Sequence, residues 1–194
     1  MPKFLTYFTV SINPDAHEMP QAVLLGAAWH HLHQAAARAK IPFAVAFPDW
    51  MNKGFTMGNR IRVFTEDRPK AEGIVEALQR IPGYQDIADE TRVYGVREGA
   101  SRREAFLMRR LPSGVSKNRK TIPLEMAKEL QDRARVRRMA EQRGLPFVWM
   151  RSSTGNKFKL VVERLGVEGD ASGQPNGYGL SRSTQIIGLP VIDG

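Results

Sequence analysis

The first 96 residues alternate between stretches with a two-residue hydrophobic period and stretches with a helical one. The order of those stretches limits the folds open to the chain. KFLTYFTVSI (Lys3–Ile12) places Phe4, Thr6, Phe8, Val10 and Ile12 on one face, as a half-buried strand does. Asn13-Pro14-Asp15 breaks it. Pro20 then opens an Ala- and Leu-rich helix, PQAVLLGAAWHHLHQAAARAK, that runs to Lys40. IPFAVAF (Ile41–Phe47) reads as a buried strand ended by Pro48, and RIRVFT (Arg60–Thr65) alternates again. Asp67 caps a second helix, RPKAEGIVEALQRI, whose apolar stripe is Ile74, Ala77, Leu78 and Ile81. TRVYGV (Thr91–Val96) completes a strand.

The resulting βαββαβ order is the ferredoxin-like pattern. The expected fold class is therefore α+β. A ferredoxin-like domain is expected over 1–97, followed by a basic α/β C-terminal domain over 98–194 that carries an arginine-rich helix. Such a fold hosts many activities and assigns none. Recognition of RNA on the sheet face would call for exposed aromatics in a K/R-G-F/Y motif, and RIRVFTE does not match it.

Charge narrows the class of partner. Residues 1–100 hold 11 Lys+Arg and 11 Asp+Glu, so the back half carries the whole net charge of +9. Within 101–164 there are 17 basic and 6 acidic residues, and arginine dominates. Guanidinium forks match phosphate oxygens in pairs, so a nucleic acid is the expected partner. A membrane surface would call for a strongly apolar opposite helix face with bulky anchors, and none is evident. No apolar run is long enough for a membrane span, and there is no helix-turn-helix signature for DNA. The chain has no cysteine and no recognisable secretion signal, so a cytoplasmic location is expected.

SRREAFLMRRL (Ser101–Leu111) is expected to be a basic helix that brings Arg102, Arg103, Arg109 and Arg110 close to one face. VSKNRKTIP adds Lys117, Arg119 and Lys120 as further phosphate contacts. PLEMAKELQDRARVRRMAEQRG (Pro123–Gly144) reads as a long helix with glycine past its end. Phe147–Ser152 and Lys157–Leu165 read as two strands joined by Ser153-Thr154-Gly155-Asn156, with Arg151 and Lys157 beside the turn.

Three features carry chemistry. WHHLHQ holds three of the four histidines. His30 and His33 share a helix face, but no Cys or carboxylate cluster supplies further ligands, so no metal site is expected. His30 and His31 read as partly buried helix residues. His33 sits between Trp29 and Ala37 on a semi-apolar face, which suits a partly desolvated general base. Ser152 and Ser153 could grip a ribose-phosphate or simply form a hairpin turn. Tyr178 in GYGLS could be a site residue or a packed tyrosine.

LLGAAWHHLHQA, PFAVAFPDW, PFVWMRSSTGNKFKLVV and GYGLS, in that order, resemble one family. It comprises the CRISPR-associated endoribonucleases that process precursor crRNA in type I-F (Csy) systems. The resemblance implies a metal-independent enzyme, without cofactor, that cuts at the 3′ base of the CRISPR repeat hairpin. It implies that the protein stays on the crRNA as a subunit of the type I-F surveillance complex in antiviral defence. It makes His33 the catalytic histidine, Tyr178 the active-site tyrosine, and Ser152 or Ser153 the residue that positions the 2′-hydroxyl. The chemistry implied is transesterification to a 2′,3′-cyclic phosphate and a 5′-OH. This chain has Ser-Ser-Thr-Gly where the family type has Ser-x-Ser-Thr-Gly, which leaves the choice of serine open and favours Ser152. Two other readings are a catalytically silent hairpin-binding subunit and an unrelated basic RNA-binding protein.

Overall fold

The computed structural model describes residues 4–13, 19–51, 56–97, 102–109, 132, 144–151, 155–168, 171 and 173–192. The architecture is α+β, with two antiparallel sheets among the described residues. The first sheet is built from β1 (Thr6–Ile12), β2 (Ala44–Ala46), β3 (Arg60–Thr65), β4 (Ala88–Glu90) and β5 (Tyr94–Gly95). Its order is β2-β3-β1-β4, and β5 also pairs with β1. In register, Phe8 faces Val63 and Val10 faces Ile61, so the alternating positions of both strands enter one core. Helix α1 (Gln21–Ala39) links β1 to β2, and α2 (Arg68–Gln79) follows β3. Asp67 caps α2 by accepting from the Lys70 amide at 2.9 Å, as its sequence position indicates.

Two elements differ from the sequence reading. Of the strand expected over Thr91–Val96 only β5 forms, while β4, which ends just before Thr91, pairs with the same edge of β1, with α3 (Tyr84–Ile87) leading in. Thr91 interrupts them: its hydroxyl accepts the Thr9 amide at 3.0 Å, taking a place that a backbone carbonyl fills in a regular ladder.

The larger correction concerns Ser101–Leu111, expected as a basic helix. Arg103–Arg109 is a strand, β6, held between β8 (Lys157–Val167) and β9 (Leu189–Pro190), with β7 (Phe147–Arg151) outside β8. The run Ala105-Phe106-Leu107 is buried on both faces of the sheet. A short apolar run of this kind fits a buried strand as well as a helix, and pairing with both neighbours decides for the strand. Arg103 and Arg109 then share a face but stand ~20 Å apart, while Arg102 falls on the other. Lys117, Arg119, Lys120 and Arg110 lie outside the described residues. So does nearly all of Pro123–Gly144, where residue 132 is helical and Gly144 has φ 59°.

The two sheets share one core. Phe106, Val148, Met150, Leu160, Val162 and Leu180 pack with Trp29, Phe47 and the first-sheet residues. Helix α1 sits between them. Leu24, Leu25, Ala28, Trp29, Leu32, Ala35 and Ala36 are buried, and by helical geometry they span one broad face. The neighbouring ridge is Gly26, Trp29, His30 and His33, at spacings of three, four and seven. Strand β7 runs against this ridge. A Cβ on Gly26 would stand 2.6 Å from the Trp149 carbonyl oxygen.

Alanine normally stabilises a helix by up to ~1 kcal/mol over glycine, but here it would force a backbone carbonyl aside. Gly26→Ala is therefore expected to lower stability by about 1–3 kcal/mol in a denaturant titration. Gly73→Ala in α2, where the nearest atom is the flexible end of Ile41 at 3.1 Å, serves as comparison and is expected to be neutral or mildly stabilising. A stabilised Gly26→Ala protein would contradict the close seam.

Candidate active site

The ridge on α1 leads from the β7 contact to His33. Seven residues on from Gly26, its side chain meets the turn formed by residues 176–180. His33 Nδ1 lies 2.6 Å from the Gly177 carbonyl oxygen. A carbonyl only accepts, so Nδ1 carries the proton and donates, and in the neutral ring Nε2 keeps its lone pair. The imidazole lies over the Tyr178 ring at a centroid distance of 4.6 Å and an interplanar angle of 32°. Phe158 also meets Tyr178, edge-on at 6.1 Å.

The turn is held from three directions. Asn176 Oδ1 accepts from the Tyr178 and Leu180 amides at 2.8 and 3.1 Å. The Trp29 indole donates to the Tyr178 carbonyl at 3.0 Å. The Val45 amide of β2 donates to the Gly179 carbonyl at 2.9 Å. Gly179 has φ 78°, and a Cβ there would run into Phe43 at 2.6 Å, so only glycine serves. Helix, first sheet and C-terminal turn thus place His33 against Tyr178.

The electrostatics distinguish the residues. Burial pushes the Tyr178 phenol above its usual range, so it stays protonated and acts as a donor near neutral pH. Burial first, then His33 and the Arg151 guanidinium, hold His30 below the usual histidine range. Arg151, at the end of β7, is therefore close enough for its charge to reach the α1 ridge. His31 is also held low, mainly by burial and then by His30, and it meets Tyr84 edge-on at 6.3 Å. The Gln34 amide donates to His30 Nε2 at 2.9 Å. Among the described residues, no group of His, Asp and Glu is arranged to hold a metal ion, and no helix is long and apolar enough to cross a membrane.

The structure brings together His33 and Tyr178, and it sets Arg151 at the exposed end of β7, the strand that packs on α1. Ser152 and Ser153 lie outside the described residues, immediately after Arg151. Lys157 pairs opposite Arg151 across the hairpin. Arg103 donates to the Gly188 carbonyl at 3.1 Å, and Arg109 is paired with Glu163. Arg102 lines a separate cleft of about 320 Å³ with Arg60, Arg62, Glu104 and Arg164, which His33 and Tyr178 do not border. Sequence reasoning missed the roles of Gly177, Asn176 and Trp29. The Asn-Gly pair before Tyr178 signals a tight turn, but nothing local shows that its carbonyls face α1.

The profile of the family described as "CRISPR-associated protein (Cas_Csy4)" matches residues 7–188. The chain belongs to the Csy4 family. That match takes in α1 with His33, the β7–β8 hairpin and the turn with Tyr178, so the geometry above belongs to the Csy4-family portion of the chain. Membership makes it a CRISPR-associated protein with a role in RNA binding and processing. No curated protein matches the sequence. A solved structure described as "An RAMP protein binding different RNA substrates" is 10% identical, with a TM-score of 0.36 and coverage of 96% of this chain and 100% of that one.

The depressed histidines give a pH dependence of stability. Between their lowered folded-state values and the free value of ~6.5, the unfolded chain binds more protons than the folded one. This contribution to stability is therefore complete above pH ~6.5 and is lost as pH falls below it. Melting temperature is expected to drop as pH falls from about 7 to about 5.5, and a His30→Gln/His31→Gln variant should show a shallower drop. Equal slopes in the two proteins would count against it.

Proposed function

We propose that this Csy4-family protein is an endoribonuclease that cleaves precursor crRNA at its repeat hairpin without metal. The observation that carries the reading is the His33 Nδ1 bond to Gly177, which leaves Nε2 as the acceptor beside a protonated tyrosine. In the proposed reaction Nε2 takes the proton of a ribose 2′-OH. The freed oxygen attacks the adjacent phosphorus and forms the 2′,3′-cyclic phosphate. The P–O5′ bond breaks, and the leaving oxygen takes a proton from water to become a 5′-OH. Tyr178 donates a hydrogen bond to a phosphate oxygen or steadies the imidazole. Ser152, or Ser153, holds the 2′-OH in line, so that positioning supplies a large share of the rate.

The strand order β2-β3-β1-β4 with two crossing helices supports a ferredoxin-like arrangement for 1–97, with 98–194 as the hairpin-binding part. Arg102, Arg103, Arg109, Arg110, Lys117, Arg119, Lys120, Arg151 and Lys157 remain the proposed RNA contacts of that part. The partners proposed are the repeat hairpin and the other subunits of a type I-F surveillance complex, in the cytoplasm.

The test pairs a gel shift with a cleavage assay on the cognate repeat RNA in EDTA. The wild-type protein is expected to give one discrete cut. His33→Ala is expected to lose cleavage roughly 100- to 10,000-fold and to bind the hairpin as the wild type does. A wild-type protein that binds but never cuts would favour the silent subunit. Equal binding to unrelated structured RNA would favour a general RNA-binding protein.

A further inference from the structure

On the outer face of the β7–β8 hairpin, Phe147, Trp149 and Lys159 take no part in the site described above. Along β7 the buried residues Val148 and Met150 face α1, and Phe147, Trp149 and Arg151 point outward. Phe147 is 38% and Trp149 48% exposed, large values for rings of this size. The two rings stand edge to face at 6.1 Å. Across the hairpin, Lys159 pairs with Trp149 and Lys157 with Arg151. The Lys159 ammonium lies 4.3 Å from the Phe147 ring centroid and 5.4 Å from that of Trp149. No acidic residue occurs in 147–151 or 157–159. The strip is therefore two exposed aromatic faces interleaved with three cations, and it lies on the strand whose other face packs on the α1 ridge at Gly26.

We propose that this strip binds the single-stranded RNA immediately 3′ of the scissile phosphate, with bases stacked on Phe147 and Trp149 and phosphates on Arg151, Lys157 and Lys159. The inference rests on the endoribonuclease reading and extends it to a second part of the substrate. If the hairpin lies 5′ of the cut, the strand that continues past His33 is unpaired, so its bases are free to stack. Stacking of a base on an aromatic ring is sequence-tolerant and stronger than an exposed cation–π contact. An arriving base therefore displaces the Lys159 ammonium from the rings, and the ammonium turns to a phosphate. An apolar protein partner would gain nothing from three cations set among the rings, whereas a polyanion with stackable bases uses both.

The test measures binding, with cleavage blocked by a 2′-deoxy nucleotide at the cut. Three RNAs share one hairpin: blunt, extended 3′ of the cut, and extended 5′ of the hairpin. The wild type is expected to bind the 3′-extended RNA ~5-fold or more tightly than the blunt one. A Phe147→Ala/Trp149→Ala variant is expected to lose that gain while binding the blunt hairpin as the wild type does, and Trp149→Phe should retain most of it. The fluorescent base 2-aminopurine, placed just 3′ of the cut, should be quenched by the wild type and not by the double variant. No gain from the 3′ extension, an equal gain from the 5′ extension, or an equal loss on blunt and extended RNA would overturn the proposal. Because binding is read without cleavage, a failed strip leaves the His33 test standing, and a silent His33 leaves this one standing.

Discussion

The arrangement depends on how closely α1 and β7 approach at Gly26. A helix and a strand normally stand apart by the thickness of their side chains. Here the helix offers no Cβ, and the Trp149 carbonyl occupies the space. The contact fixes the second sheet against a helix whose other face is already committed to the first sheet. Because the same ridge continues through His30 to His33, a backbone contact near the helix start sets what the end of β7 meets two turns later. Strand β7 ends at Arg151, and the serines follow it in the chain.

A second constraint acts on the ring itself. Histidine on a helix surface has rotational freedom, and its two nitrogens compete for the proton. The Gly177 carbonyl removes that choice by accepting from Nδ1, and the Tyr178 ring limits how the imidazole tilts. The carbonyl can do this because its turn is tied to Trp29, Val45 and the Asn176 side chain rather than hanging free. The three partners come from α1, from β2 and from the turn, so a fold assembled from both halves of the sequence is needed to orient one side chain. Burial holds the neighbouring His30 and His31 low, where they are neutral structural groups.

Much of this was legible in the residues. The periods of β1, α1, β3 and α2 agree with the sequence, because each repeats over several turns or pleats and each is bounded by a proline or a cap. The pairing of His33 with Tyr178 came from the ordered family landmarks, and local physics alone left Tyr178 undecided. What was not legible depends on distant partners. Ala105-Phe106-Leu107 is apolar on both sides and carries no period, so the flanking arginines suggested a helix while β8 and β9 impose a strand. Thr91 reads as a strand former, yet its hydroxyl breaks the edge strand in two. Nothing local marks Gly26 in its alanine-rich helix, because the carbonyl that requires a glycine there comes from distant Trp149.

The central claim is that the fold fixes His33 with its proton on Nδ1 and its lone pair on Nε2. A long-range proton–nitrogen correlation spectrum of the imidazole, recorded on the free protein well above the histidine titration range, reads this directly. The account predicts a pyrrole-type shift for Nδ1 and a pyridine-type shift for Nε2. The reverse assignment, or the averaged shifts of a ring exchanging freely between tautomers, would contradict it.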